Sequence, residues 1–393
     1  MLRAAAVVAL AGSLGSGLLT GCAAPAPKPH RTASSAPSHR PTPTPTPTPA
    51  DPLAGMTLQQ KVGQLFMVGT QANAADPATL DAVTSLHVGN VFLAGRSHGG
   101  VDATKAVVSR FTALATADAT AGLPLFVATD QEGGEVQVLQ GPGFDQMPTA
   151  LQQGAMDTAA LKDAALGWGG ELKASGVNMN LAPVVDLIAS PEAAANNPPI
   201  GGFDRQYGYD PATIVTHADA FRAGMDTAGV VPVIKHFPGL GAVTANTDTD
   251  SGVTDSTTTP ASPSVGVFAT EIQRGARVVM MSTAIYTQLD PGGPAVFSSA
   301  IVTGLLRQKL GFDGVIMSDD LSAAEQTSAW SPANRAILAL QAGVDIVLVS
   351  AEPALAAPMV AAVVAKAQSD SAFAKVVDAA ARRVVELKRY QFG

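Results

Sequence analysis

Eight short apolar runs, each separated from the next by a longer and often Ala-rich stretch, constrain this 393-residue chain more than any other feature. They fall at 62–69, 88–94, 123–130, 177–186, 231–236, 276–282, 314–319 and 345–350. Each is closer to a continuous apolar stretch than to an alternation. That pattern suits parallel strands covered on both faces. Intervening segments such as 148–175 and 210–229 read as crossover helices. Eight βα units over about 340 residues predict a TIM-type (β/α)8 barrel, α/β in class, as a single domain over 51–393. A doubly wound open sheet is the alternative. It is weakened because no Gly-rich dinucleotide fingerprint follows the first strand.

The polar residues say where chemistry should lie. The third run leads into Thr129-Asp130-Gln131-Glu132-Gly133-Gly134, and the fourth ends at Asp186. The fifth ends Lys235-His236-Phe237-Pro238-Gly239, and the seventh ends Ser318-Asp319-Asp320. In a (β/α)8 barrel the C-terminal strand ends surround one pocket, where active sites sit. One carboxylate at a strand end would be unremarkable, whereas four polar ends on one face predict a site. Lys235 beside His236 at a buried strand end demands acceptors nearby.

The first fifty residues are of another kind. Arg3 is followed by an apolar segment, 4–18, too short to span a membrane, which takes about 20 residues. It reads as a signal peptide over 1–21. Leu19-Thr20-Gly21-Cys22 resembles a bacterial lipobox, in which the Cys becomes the lipid-bearing first residue of the mature protein. The alternative is a stray buried Cys. Residues 22–50 form a Pro/Thr-rich linker with nothing to bury, an extended spacer rather than folded structure. The expected address is therefore exported, lipid-anchored to the cell membrane and facing the cell wall.

Composition removes several classes. Cys22 is the only cysteine, so the chain can form no internal disulfide and no Cys-based metal cluster. From residue 51 onward 20 basic residues face 32 acidic ones, which argues against nucleic acid as a partner. The six histidines, His30, His39, His87, His98, His217 and His236, show no metal-ligand spacing. No metal, nucleotide or other cofactor is expected, and a monomer is.

At 129–134, at Asn180-Leu181-Ala182-Pro183-Val184-Val185-Asp186, at 235–239 and at Val315-Ile316-Met317-Ser318-Asp319-Asp320-Leu321 the sequence resembles the glycoside hydrolase family 3 β-N-acetylhexosaminidases, the NagZ-like group. The resemblance covers about residues 52–350. It implies retaining hydrolysis of terminal β-linked N-acetylglucosamine, with cell-wall fragments such as muropeptides as substrates. The family nucleophile falls on Asp319, with Asp320 a structural neighbour accepting backbone or Arg hydrogen bonds. Asp130, Arg205, Lys235 and His236 match the family's sugar contacts. Asp186 is left outside the site, as a structural residue that could pair with Arg205. The extra C-terminal sandwich domain of larger members has no room here.

Three departures from the family stand out. Its Gly-Gly-Arg reads Gly133-Gly134-Glu135, and the His that the sixth strand carries after Met-x-x is absent from Met281-Ser282-Thr283-Ala284-Ile285. The third concerns the acid. The Asp-x-His dyad of the loop after the fifth strand reads Asn246-Thr247-Asp248, and no His lies downstream of that strand. Asp248 stands at the His position and is the local candidate for acid/base. The alternative is that it caps a Thr-rich turn. Two other functions stay open: a sugar phosphorylase on the same scaffold, and a catalytically weak muropeptide-binding lipoprotein.

Overall fold

The computed structural model describes residues 51–393; the leader, the spacer and Cys22 lie outside the described residues. Each apolar run supplies a strand: β1 Phe66–Gln71, β2 Asn90–Ala94, β3 Phe126–Thr129, β4 Met179–Asn180, β5 Val231–Pro232, β6 Ile234–Phe237, β7 Val278–Met281, β8 Val315–Asp320 and β9 Ile346–Val349. Two runs overshoot one end of their strand by four residues or more. Val62 and Gly63 belong to a helix, Leu58–Gly63, which Thr57 opens with a capping box. Of the fourth run only β4 pairs regularly.

The sheet order is β5-β4-β3-β2-β1-β9-β8-β7-β6. All its neighbours are parallel. β5 and β6 are one stave interrupted at Val233, whose N–H donates to the carbonyls of Asn180 and Ala182, both at 3.0 Å. The two ends of the sheet are thus adjacent in the chain, and eight staves make a nearly closed barrel of the TIM type.

Side chains alternate between two apolar environments, which is why the runs look continuous. Met67, Phe92, Phe126, Met179, Val231, Met280, Met317 and Leu348 fill the interior. Phe66, Val68, Val91, Val127, Ile234, Val279, Ile316 and Val347 face outward into the helix layer. In that layer Thr158–Ala174 packs on Pro211–Ala228. Asp157 and Asp210 cap their starts. A Cβ on Gly224 would sit 2.5 Å from the Lys162 carbonyl oxygen, so only glycine permits this approach of the two helices.

The last helix, Ser371–Phe392, contributes Val384 and Leu387 to the interior cluster, and its Phe392 ring lies 5.7 Å from that of Phe126. Full burial of such side chains is worth about 1.5–3 kcal/mol each. The same helix buries Lys388, whose Nζ donates to Gln64 Oε1 and the Gly89 carbonyl, both at 2.7 Å, with no carboxylate partner among the described residues. Burial pushes this ammonium down to about 7. An unfolded Lys titrates near ~10.4, so between those values the folded chain binds fewer protons and stability rises with pH. Thermal unfolding midpoints of wild type and Lys388→Met from pH 6.5 to 9.5 check this: wild type should gain on the variant as pH rises, and parallel curves would contradict it.

Candidate active site

The C-terminal ends of β3, β6 and β8, with the loops that follow β4 and β6, enclose a cavity of about 540 Å³. Asp130, Arg205, Lys235, His236, Asp248 and Asp319 all line it. Segments separated by nearly two hundred residues thus meet on the face where a (β/α)8 barrel carries its chemistry.

Beneath the cavity lies a charge network. Lys235 Nζ donates to Asp130 Oδ1 and lies equally close, at 2.6 Å, to Glu132 Oε1. Arg205 grips Glu132 through two hydrogen bonds of 2.8 Å and donates a third to the Pro199 carbonyl at 2.7 Å. Burial works against the charge of Glu132, but Arg205 and then Lys235 outweigh it and hold the carboxyl at about 2. Burial likewise opposes the ammonium of Lys235, and Asp130 and Glu132 overcome it, raising its pKa. Glu132 is the hub that reading the sequence missed. Arg205 pairs with it and not with Asp186, which corrects the pairing considered above.

Asp186 has a different task. It is fully buried, and it accepts from the backbone N–H of His236 at 3.1 Å and of Leu240 at 2.8 Å. Its other oxygen lies 2.7 Å from His236 Nδ1. A carboxylate can only accept, so Nδ1 carries the proton and Nε2 is the nitrogen left for a ligand. Asp186 therefore belongs to the site as the residue that orients His236.

Asp319 accepts one hydrogen bond, from the Asp320 N–H at 2.8 Å. Asp320 is committed elsewhere, to the N–H of Ser322, Ala323 and Ser350 and the Ser322 hydroxyl. Among the described residues its partners are backbone and hydroxyl groups and no Arg. Burial raises the pKa of Asp319, against the opposing pull of His236, the Asp320 N–H and Lys235.

Asp248 lies in a turn that Asn246 holds. Asn246 Oδ1 accepts from the Asp248 N–H at 3.0 Å, and the Asn246 carbonyl from the Asp250 N–H at 2.8 Å. The capping oxygen therefore belongs to Asn246, and the Asp248 carboxyl accepts no hydrogen bond from the described residues. That overturns the turn-capping alternative. Asp248 is exposed and lines the cavity. Partial desolvation there, and then the charge of Asp319, push its carboxyl up to about 6 against the pull of Arg205 and His236. Burial thus raises both carboxyls of the pair.

Glu135, where the family has Arg, is exposed and lines the cavity. Arg96, just beyond the end of β2, lines it too and donates to the carbonyls of Gln137 and Glu135. A base thus enters from a different strand. Ser282 is buried outside the cavity lining, and its hydroxyl accepts from the Ala284 N–H at 3.0 Å.

The glycosyl hydrolase family 3 N terminal domain matches residues 57–387. A solved β-N-acetylhexosaminidase from Beutenbergia cavernae is 64% identical, with a TM-score of 0.85 over 86% of this chain and 99% of that chain. The β-hexosaminidase LpqI of Mycobacterium tuberculosis is 34% identical over 302 residues, 74% of this chain and 72% of that protein. An uncharacterized secreted glycosyl hydrolase of Arthroderma benhamiae is 33% identical over 253 residues, 62% of this chain and 69% of that protein. Fold, cavity and sequence agree: the chain belongs to glycosyl hydrolase family 3 and is a glycosidase.

Proposed function

We propose that this glycosidase is a retaining β-N-acetylhexosaminidase that removes terminal β-linked N-acetylglucosamine from cell-wall-derived glycans, with Asp319 as nucleophile and Asp248 as acid/base. The observation that carries the reading is the pair of carboxyls on one cavity, Asp248 on a loop and Asp319 on β8, with His236 and the buried Lys235 lining the same cavity. The identity with a β-N-acetylhexosaminidase supports the choice of sugar.

In the first step an Asp319 oxygen bonds to the anomeric carbon while the bond to the leaving oxygen breaks, and Asp248 gives that oxygen its proton. In the second, water attacks the anomeric carbon, Asp248 takes the water's proton, and the ester to Asp319 breaks. Asp130, Arg205, Lys235 and His236 hold the sugar's hydroxyls and acetamido group. The Asp130 oxygen not paired with Lys235, His236 Nε2, the third Lys235 N–H and the two uncommitted Arg205 N–H groups are the atoms with capacity left for this.

Asp248 must be protonated when the leaving group departs, so turnover of an unactivated disaccharide should fall as pH rises through about 6. Asp319 must be ionised, so turnover should also fall in more acid solution, leaving an optimum at mildly acidic pH. Asp248→Ala should cost an unactivated N-acetylglucosamine disaccharide on the order of 10²–10⁴ in turnover. A nitrophenyl glycoside, whose leaving group needs little protonation, should keep its first step, and azide should restore the second. Equal cleavage of both substrates by variant and wild type would remove Asp248 from the chemistry. Sugar 1-phosphate formed in inorganic phosphate would mark a phosphorylase instead.

We propose too that the protein is exported and anchored through Cys22. No helix among the described residues is long and apolar enough to cross a membrane. Cys22→Ala should therefore move the protein out of the membrane fraction or leave it unprocessed. Identical partitioning of variant and wild type would refute the anchor.

A further inference from the structure

The loop that carries Asp248 does not stand free. It docks on the turn that follows the nucleophile strand, and four hydrogen bonds join the two. The Glu325 N–H donates to the Asp248 carbonyl and the Gln326 N–H to the Thr247 carbonyl, both at 3.1 Å. The Gln326 carboxamide then takes both backbone groups of one residue further along the loop. Its Oε1 accepts from the Val253 N–H at 2.8 Å, and its Nε2 donates to the Val253 carbonyl at 3.1 Å. Gln326, Val253 and Thr247 are all buried.

Each side of this junction is itself fixed. The turn is tied down by Arg335, which donates to the carbonyls of Leu321 and Ser322 at 3.0 and 2.7 Å. It lies only a few residues beyond Asp319 on the same chain segment. The loop, beyond Val253, enters a short strand, Thr254–Asp255, that pairs with Ile285–Tyr286. Between its exit at Val253 and its tip at Asp248 the loop has one side-chain clasp to the turn, Gln326. A carboxamide with both ends bonded to the N–H and the carbonyl of one residue fixes that residue's position and orientation at once. The charged groups acting on Asp248 are Asp319 and Asp320 from β8, Arg205 from the loop after β4 and His236 from β6. Their effect on it depends on where the loop is held.

We propose that Gln326 is a positioning residue for the acid/base: by clasping Val253 it holds the Asp248 loop against the segment that bears the nucleophile, so that the two carboxyls keep one fixed relation. This rests on the assignment of Asp248 as acid/base given above. The substrate makes no contact with Gln326 in this account; its effect passes entirely through Asp248.

The test is a double-mutant cycle with Gln326→Leu, which keeps much of the volume and removes both hydrogen bonds, and Asp248→Ala. On an unactivated N-acetylglucosamine disaccharide, Gln326→Leu should lower kcat on the order of 10–100-fold, the scale of a small misplacement of a catalytic group. KM should change little. On a nitrophenyl glycoside the first step should stay within about threefold of wild type. The high-pH limb of the disaccharide profile should move to lower pH as the loop leaves the neighbours that raise Asp248. In the Asp248→Ala background, Gln326→Leu should cost nothing further. Equal losses on both substrates, or a further loss in the double variant, would show a merely structural role and overturn the proposal. Should Asp248→Ala alone leave the disaccharide unaffected, the acid/base assignment falls first, and the proposal with it. Hydrogen exchange on the wild-type protein tests the clasp without any variant: the amides of Val253, Glu325 and Gln326 should be protected together, and fast exchange at Val253 would contradict the clasp.

Discussion

Glu132 takes both of the cations nearest the cavity floor, Arg205 through two hydrogen bonds and Lys235 at 2.6 Å, and the arrangement above it depends on that sharing. Charges this deeply buried are tolerated only when paired, and loss of one partner from such a pair typically costs about 3–5 kcal/mol. The network fixes three strand ends or loops relative to one another: the end of β3, the loop after β4 and β6. It places Lys235 against Asp130 and leaves Asp130 one free oxygen at the cavity. Asp186 does the same for His236 from below, so the polar residues at the barrel mouth arrive already oriented.

Two further carboxyls, Asp248 and Asp319, line the cavity above this floor. Asp320 is saturated by backbone and hydroxyl donors, which leaves Asp319 as the member of the adjacent pair with acceptor capacity. Asn246 performs the turn-capping that an Asp in this loop could otherwise have done, and so frees the Asp248 carboxyl. The replacement of a family Asp by Asn246 and of a His by Asp248 thus belongs to one rearrangement: the amide builds the turn and the acid faces the cavity.

The barrel was legible because its strands are apolar on both faces, so that runs such as 88–94 and 314–319 announce buried parallel strands without alternation. The first run was over-read at its start, since Val62 and Gly63 end a short capped helix, and periodicity cannot separate a few apolar helical residues from a strand. Asp130, Lys235, His236 and Asp319, which line the cavity, were legible because motifs place them at or beside strand ends. Their partners were not. Glu132 and Arg205 are 73 residues apart, as are Val253 and Gln326, and local pattern carries nothing about which acid or amide a distant group will meet. Asp186 was set aside for the same reason: its acceptors are all spoken for by residues 50 or more positions away. The closing helix with Val384 and Leu387 was equally hidden, because an amphipathic helix does not declare which end of a barrel it covers.

The central claim is that Asp319 forms a bond to the sugar. It is tested most directly by incubating the enzyme with a fluorinated N-acetylglucosaminyl donor that reacts quickly and is released slowly, then weighing the proteolytic peptides. The account predicts one peptide heavier by one glycosyl unit, the peptide containing Asp319, with the ester on that residue. A label on Asp248 or Asp320, or full turnover of the donor with no labelled peptide, would contradict it.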